Sequence, residues 1–429
     1  MKVVDKKYIL PFILVTTCFA LWGFANDITN PMVKSFSKIF RMSVTQGALV
    51  QVAFYGGYFC MALPAAMFIR RFSYKSGILM GLGLYAVGAL MFLPAARLGS
   101  YWPFLAAYFI LTCGLSFLET SANPFILLMG EKETATRRLN LAQSFNPIGS
   151  LCGMFVAMNF IQARMNPMSS GERATLDDAT FQAVKAADLD IVVKPYAVIG
   201  MVIILIFVLI LITKIPLRKN DDSCVSLAFW PSVKRLFANK AYREGVIAQF
   251  FYVGAQITCW TFIIQYGTHV FMTEGMEEQA AEILSQRLNI IAMVLFCCSR
   301  FICTALMKRF RPVSMLSAFA SVAIVLLLVV ILIGGRVGVY SLVAISACMS
   351  LMFPTIYGLA LKDVGRDAEV GSAGLIMAIL GGSLLPPIQA LIIDGGHPTL
   401  SFVVPCFCFF VVLAYALRRS HKPSTDIKP

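Results

Sequence analysis

The sequence predicts an all-α polytopic membrane protein with twelve transmembrane helices arranged as two six-helix pseudo-repeats. Of its 429 residues, 59% are hydrophobic and only 14% are charged, which is more apolar side chain than a soluble domain can bury. Uncharged runs of about 20 residues recur along the chain, and each can cross ~30 Å of hydrocarbon as a helix. The alternating pattern of a membrane β-barrel strand is absent.

Hydropathy gives the limits of the individual spans. The predicted spans, numbered one to twelve, cover residues 8–33, 46–69, 76–96, 101–130, 138–163, 193–215, 243–271, 287–307, 313–334, 338–361, 368–395 and 398–417. The first run is too long, and too poor in a small-residue cleavage site, to be a removed signal peptide. We therefore expect it to remain as span one.

A long polar stretch after span six divides the chain. It predicts an N-terminal six-helix half (1–215), a cytoplasmic linker (216–242) and a C-terminal six-helix half (243–429). Short sequence echoes occur at matching places in the two halves: FIRRFSYKS (68–76) follows span two, and LMKRFRPVS (306–314) follows span eight. Such echoes indicate the internal repeat that many transporters contain.

The positive charges predict the orientation. With the N-terminus inside, the cytoplasmic segments carry 25 of the 36 Lys and Arg residues, as the positive-inside rule requires. We therefore expect both termini and the linker to be cytoplasmic. The net charge of +14 is interpreted as this topology signal, so we expect no nucleic-acid partner.

The sequence lacks the signatures of an enzyme. It contains no HExxH or GxSxG motif, and its three histidines lie at span ends or in the tail. The twelve cysteines form no CxxC pair or disulfide framework, so we interpret them as small core residues. We expect no enzymatic activity, no metal site and no cofactor.

Polar and aromatic side chains recur at helical spacing in five spans, which predicts faces turned away from lipid. The candidate substrate-binding residues are Asn26 and Asn30 in span one, Tyr55 in span two, Asn123 in span four, Gln143 and Asn146 in span five, and Tyr252, Gln256 and Trp260 in span seven. Amides beside aromatic rings suit a sugar, because hydroxyls need donors and acceptors and C–H faces stack on rings. The alternative is that these groups only bond helices to each other.

Three charged residues within or at the end of spans are stronger signals. Glu119 is the only charged residue between Arg97 and Glu131. A carboxylate in a low-dielectric interior resists ionisation and can exchange a proton, so Glu119 and Asp27 are candidates for proton coupling. The alternatives are a neutral structural acid for Glu119 and a solvated helix end for Asp27. Arg300 either gates the cytoplasmic side by pairing with an acid, or is a snorkelling or helix-locking arginine.

Several motifs resemble those of a known family. LETSANPF (118–125), RLNLAQSFNPIGS (138–150) and AQFFYVGAQITCW (248–260) resemble the fucose–galactose–glucose:proton symporter family of the major facilitator superfamily. The resemblance covers nearly the whole chain. It implies the major facilitator fold and uptake of a monosaccharide with a proton by alternating access, as a monomer in the bacterial inner membrane. L-fucose is the expected sugar, and a glucose/galactose:cation symporter is the alternative within the family; a membrane sensor or structural protein is the non-transport alternative.

The resemblance also implies residue roles. The family glutamate of the LET-x-ANP motif corresponds to Glu119, and Gln143 corresponds to a family glutamine that contacts sugar. The family aspartate of span one is ambiguous in this sequence. NDITNP supplies Asp27 about one helical turn early, whereas an ungapped alignment places Asn30 at that position.

Overall fold

The computed structural model describes residues 4–29, 32–42, 49–168, 170–213, 229–362 and 364–420. Within these ranges the regular elements are helices, and twelve of them are long and apolar enough to cross a membrane. These spans are Ile9–Thr29, Val52–Arg71, Tyr74–Leu98, Tyr101–Leu128, Lys132–Ile161, Asp178–Ile212, Lys240–Thr273, Ile283–Leu306, Pro312–Leu332, Gly335–Leu361, Ala368–Ile393 and Leu400–Ser420. The all-α class and the number of spans are confirmed.

The described residues form two compact units. The first unit lies within Val4–Met129 and Phe145–Val225, and the second lies within Gly130–Ser144 and Ser226–Pro429. Span five therefore contributes to both units, with the change at residues 144–145. The predicted division of the chain at 216–242 stays a prediction, and residues 216–228 of that linker lie outside the described residues.

Span six is longer than the sequence predicted. Its helix runs over Asp178–Ile212, whereas hydropathy placed its start at residue 193. The carboxylate of Asp177 accepts a hydrogen bond from the Thr180 amide at 3.1 Å and so caps the helix N-terminus. Arg173, in the short helix Ser170–Ala174, forms a buried ion pair with Asp188 at 2.7 Å. Hydropathy did not include these turns in the span because they contain charged residues.

Spans three, five, ten and eleven are interrupted helices. Span five consists of Ala135–Gln143 and Asn146–Val156, followed by a π-helical turn, Ala157–Gln162. Span ten consists of Gly335–Met349 and Met352–Leu361. Span eleven, which is rich in Gly and Pro, has the 3₁₀ turn Ala378–Leu380 between Ala368–Met377 and Gly381–Asp394. The breaks in spans five and ten were not predicted.

Glycines allow spans one and five to cross at backbone contact in the first unit. A Cβ atom built on Gly149 would lie 1.8 Å from the Ala20 carbonyl oxygen, and one built on Gly23 would lie 2.0 Å from that of Asn146. Only glycine fits at both positions without moving a helix. This crossing fixes span one, and with it Asp27, against span five.

The remaining helices are short or complete the spans. They are Lys6–Tyr8, Met32–Ile39, Leu49–Arg71 (which contains span two), Lys132–Thr134, Phe229–Ala238, Glu278–Leu306 (which contains span eight), Gly365–Asp367, Leu400–Phe402 and Val403–Ser420. Span three is formed by Tyr74–Leu90 and Phe92–Leu98.

Candidate functional site

The polar face of span four is buried, as its spacing predicted. Thr112, Ser116 and Asn123 are 0% exposed and Glu119 is 2% exposed. The Thr112 hydroxyl donates to the Tyr108 carbonyl at 2.7 Å, within its own helix. The Ser116 hydroxyl donates to the Tyr58 carbonyl of span two at 3.1 Å. This second bond places Tyr58 beside Glu119, one turn further along span four.

Glu119 and Tyr58 face each other in this interior. The carboxylate of Glu119 is adjacent to the Tyr58 hydroxyl, but neither group makes a hydrogen bond of normal geometry with any residue in the described part of the chain. Trp22 of span one lies next to the same hydroxyl. An ionised carboxylate is costly in such a place unless a donor reaches it, whereas a protonated one can donate to a neighbour. Small movements of Tyr58 can therefore favour one charge state of Glu119 over the other.

The second candidate carboxylate, Asp27, lies near Tyr55, whereas Glu119 lies near Tyr58. Asp27 is half-buried and interacts electrostatically with Tyr55, three residues before Tyr58 on span two. The ring of Phe54 packs edge-on against both tyrosine rings, at centroid distances of 5.8 and 5.7 Å. We call Asp27, Tyr55, Tyr58 and Glu119 the carboxylate cluster. Asn26 is half-buried beside Asp27 in the chain, and Asn30 lies outside the described residues.

The two predicted residues of span five are separated by its break. Asn146 is half-buried, and its side-chain amide donates to the Phe19 carbonyl of span one at 3.2 Å. Gln143 ends the preceding helix, is 1% exposed and belongs to the second unit. The structure thus gives Asn146 a helix-to-helix bond, and the ligand-binding role of Gln143 stays a prediction.

Arg300 is buried in the second unit, at 3% exposure, so it does not snorkel to the surface. Its Nε donates to the Ser350 carbonyl at 2.5 Å, and its Nη1 donates to the Gln143 carbonyl at 3.0 Å. The guanidinium also lies 4.6 Å from the ring centroid of Phe296. Within the described residues its hydrogen-bond partners are therefore backbone carbonyls, and the expected acidic partner is not observed.

The sequence explains why these two carbonyls accept a side-chain donor. Each stands four residues before a proline: Gln143 before Pro147, and Ser350 before Pro354. A proline nitrogen carries no hydrogen, so the helical bond from residue i to the carbonyl of residue i−4 cannot form. Both carbonyls also lie at helix C-termini, where partial negative charge attracts a cation. Arg300 thus donates one N–H to each of these two carbonyls, in place of the N–H that each proline lacks.

Span seven presents its predicted polar face within the second unit. The Tyr252 hydroxyl donates to the Met349 carbonyl at 2.8 Å, and Tyr252 interacts electrostatically with Arg300. The Trp260 indole donates to the Ser346 hydroxyl at 3.2 Å. Both anchors are near the end of the first helix of span ten. Gln256, one turn from each of them, is half-buried.

The polar faces predicted for spans two and seven each contain one further buried residue, Tyr58 in the first unit and Gln249 in the second. Tyr58 and Gln249 each lie three residues from a predicted residue, Tyr55 and Tyr252, and share its helix face. Gln249 is 0% exposed, and neither its amide oxygen nor its amide nitrogen has a hydrogen-bond partner among the described residues. Helical spacing was the signal for both residues. In the ranges that the structure describes, no group of three or more His, Cys, Asp or Glu residues could hold a metal ion.

Comparisons with known proteins cover nearly the whole chain. The family model of the Major Facilitator Superfamily matches residues 15–383. The chain is 48% identical over 428 residues to the L-fucose-proton symporter of Haemophilus influenzae, covering 97% of this chain and 98% of that protein. It is 32% identical to a glucose/galactose transporter of Brucella abortus, with coverage of 96% and 95%. A crystal structure of the E. coli fucose:proton symporter superposes with a TM-score of 0.87 at 34% identity, covering 97% of this chain and 100% of that chain.

Proposed function

Because the chain belongs to the major facilitator superfamily, we propose that it is a secondary active transporter that takes up L-fucose together with a proton. The relative that is 48% identical over nearly its full length carries that description. The observation that carries the proposal is the buried Glu119 facing the Tyr58 hydroxyl, because a proton-coupled carrier needs a group that can hold two charge states inside the membrane. The chain is thus a transporter and not an enzyme.

The proposed cycle carries its proton in the carboxylate cluster. In the carboxylate cluster, Glu119 holds the proton, with Asp27 close to the same tyrosine pair. A protonated, neutral carboxyl is less costly to carry through a conformational change in a low-dielectric interior than an ion. The release of that proton on the other side of the membrane makes the cycle directional. Alternating access supplies the exposure to each side.

Arg300 is proposed as the gating residue. Its bonds join Ser350, from the second half of the sequence, to Gln143, from the first half. An alternating-access movement of the two sequence halves must break at least one of these bonds. Arg300 therefore stabilises one conformation of the carrier, without needing an acidic partner.

In the second unit, the sugar is proposed to contact Gln143 and the half-buried Gln256 and Trp260. Asn123, in the first unit, stays a predicted contact. These side chains offer amide donors and acceptors together with an aromatic face, which is the chemistry that a monosaccharide requires. For the membrane, we propose a monomer in the bacterial inner membrane with both termini in the cytoplasm. The excess of Lys and Arg in the segments on that side supports this orientation.

Transport of glucose or galactose is the second candidate, supported by the 32% identity to a transporter described in those words. Counter-flow in proteoliposomes decides between them. Vesicles loaded with unlabelled L-fucose should accumulate labelled L-fucose, and a load of D-glucose or D-galactose should not drive that exchange. Exchange of glucose or galactose without L-fucose would favour the second candidate. Absence of exchange for all three sugars would contradict both transport candidates. That is the result expected of a sensor or structural protein.

A further inference from the structure

A short helix immediately before span seven has a face that the described residues of the protein do not cover. The helix is Phe229–Ala238, which we call the linker helix, and it ends one residue before the helix Lys240–Thr273 begins. The side chain of Asn239 between them accepts hydrogen bonds from the amides of Ala241 and Tyr242 and caps the start of span seven. Because span seven enters the membrane, the linker helix must lie close to the membrane surface.

One face of the linker helix is held by the second unit. Ser232 is 0% exposed and Leu236 is 4% exposed, and their spacing of four residues places them on one face. The adjacent Arg235 donates to both carboxylate oxygens of Asp367, at 2.9 and 2.8 Å. This two-bond geometry fixes the direction of a guanidinium as well as its distance. The buried face and this ion pair therefore hold the linker helix in one orientation.

The opposite face presents aromatic side chains and a lysine. Trp230 is 75% exposed and Phe237 is 66% exposed. They are seven residues apart, and the exposed Lys234 lies between them, so all three project from one side of the helix. Leaving two large aromatic side chains in water is unfavourable. The fold holds them outward because the buried face is fixed by Leu236 and Arg235.

We propose that the linker helix lies in the lipid headgroup region of the membrane, with Trp230 and Phe237 inserted among the acyl-chain ends and Lys234 against anionic headgroups. Aromatic rings concentrate at this interface, and an amphipathic helix lies ~5–10 Å into the headgroup boundary. Lys240 and Arg243 at the start of span seven are also exposed, and basic residues beside a span are attracted to anionic headgroups. Adjacency to a span and this charge favour lipid over a protein partner.

Tryptophan fluorescence of the full-length carrier tests this contact. The protein is reconstituted in vesicles of phosphatidylcholine and phosphatidylglycerol, with or without bromine near the carbonyl end of the acyl chains. The chain has four tryptophans, so the signal of Trp230 is the difference between wild type and Trp230→Phe. Bromolipid should quench that difference roughly twofold or more at the expected depth, and aqueous iodide should leave it nearly unchanged. Trp102→Phe, a substitution at a site that is 70% exposed at the start of span four, is the matched control.

A second measurement tests the proposed contact of Lys234 with anionic headgroups. Lys234→Gln removes one charge near an anionic surface, so the ratio of lipid-inserted to free helix should fall about fivefold in vesicles with phosphatidylglycerol and remain unchanged in phosphatidylcholine alone. Equal responses in the two lipids would overturn the role of Lys234. Quenching of Trp230 by iodide and not by bromolipid would overturn the whole proposal. If Trp230 is then shielded only in native membranes, a protein partner takes the place of lipid.

Discussion

Replacing Arg300 by lysine should loosen the packing of residues 135–143 in the second unit. Arg300 reaches two carbonyls at once, those of Ser350 and Gln143. Lysine keeps the positive charge, so the cost of burying a cation is largely retained, but its single ammonium group cannot reproduce the planar fork that spans both acceptors. At least one charge-assisted hydrogen bond should therefore be lost in Arg300→Lys.

The structure sets the size of this effect. One hydrogen bond to a charged group contributes about 1.5–3 kcal/mol, which corresponds to about a ten- to hundredfold change in a local opening equilibrium. Hydrogen–deuterium exchange of peptides covering 135–143 measures that equilibrium directly. Exchange at these amides should speed up by that factor in the variant.

Arg418→Met provides the matched control, because Arg418 is 67% exposed where it pairs with Glu244. An exposed pair contributes at most about 1 kcal/mol, so exchange at 135–143 should not change. If Arg300→Lys left this exchange at the wild-type rate, or changed it no more than Arg418→Met does, Arg300 would not be the donor that holds the two proline-interrupted helices together.

Three further predictions concern stability and binding. Asp188→Asn should destabilise the protein by ~3–5 kcal/mol, because Arg173 would remain buried without its carboxylate; Asp190→Asn, at an exposed pair, should leave the thermal unfolding midpoint nearly unchanged, and equal effects would contradict the reasoning. Gly149→Ala should cost about 1–3 kcal/mol by forcing spans one and five apart, and an unchanged midpoint would refute that crossing. Gln143→Ala should weaken binding of L-fucose to the purified protein by ~1–3 kcal/mol, since a buried sugar hydroxyl would lose its partner; unchanged affinity would remove the Gln143 side chain from the site.

The helical architecture was predictable because its signals are local. A run of about 20 apolar residues crosses a bilayer as a helix whatever its neighbours do, so all twelve spans were found. The start of span six was missed because turns outside the hydrocarbon need not be apolar. Residues 178–192 include three aspartates and a lysine, and they continue the helix beyond the Asp177 cap. Hydropathy reports burial in lipid and does not report where a helix ends.

Only those parts of the site that follow from helical spacing were predictable from the sequence. The buried face that contains Glu119 followed from the intervals between its polar residues. The partners of Arg300 did not, because they are backbone carbonyls more than 40 residues away in the chain, and a sequence pattern does not mark a carbonyl as an acceptor. Pro147 and Pro354 were a usable signal, since each frees the carbonyl four residues before it. Pairing those carbonyls with one arginine required the tertiary fold.

Glu119→Gln tests the central claim most directly, because the amide keeps the size and polarity of the protonated carboxyl but cannot release a proton. In proteoliposomes the variant should still exchange labelled for unlabelled L-fucose, since exchange needs no net proton movement. It should fail to accumulate L-fucose under an inward proton gradient. Glu131→Gln, at the next acidic residue along the chain and exposed, should retain both activities. Accumulation by Glu119→Gln at the wild-type level would contradict the account and would move the proton to Asp27.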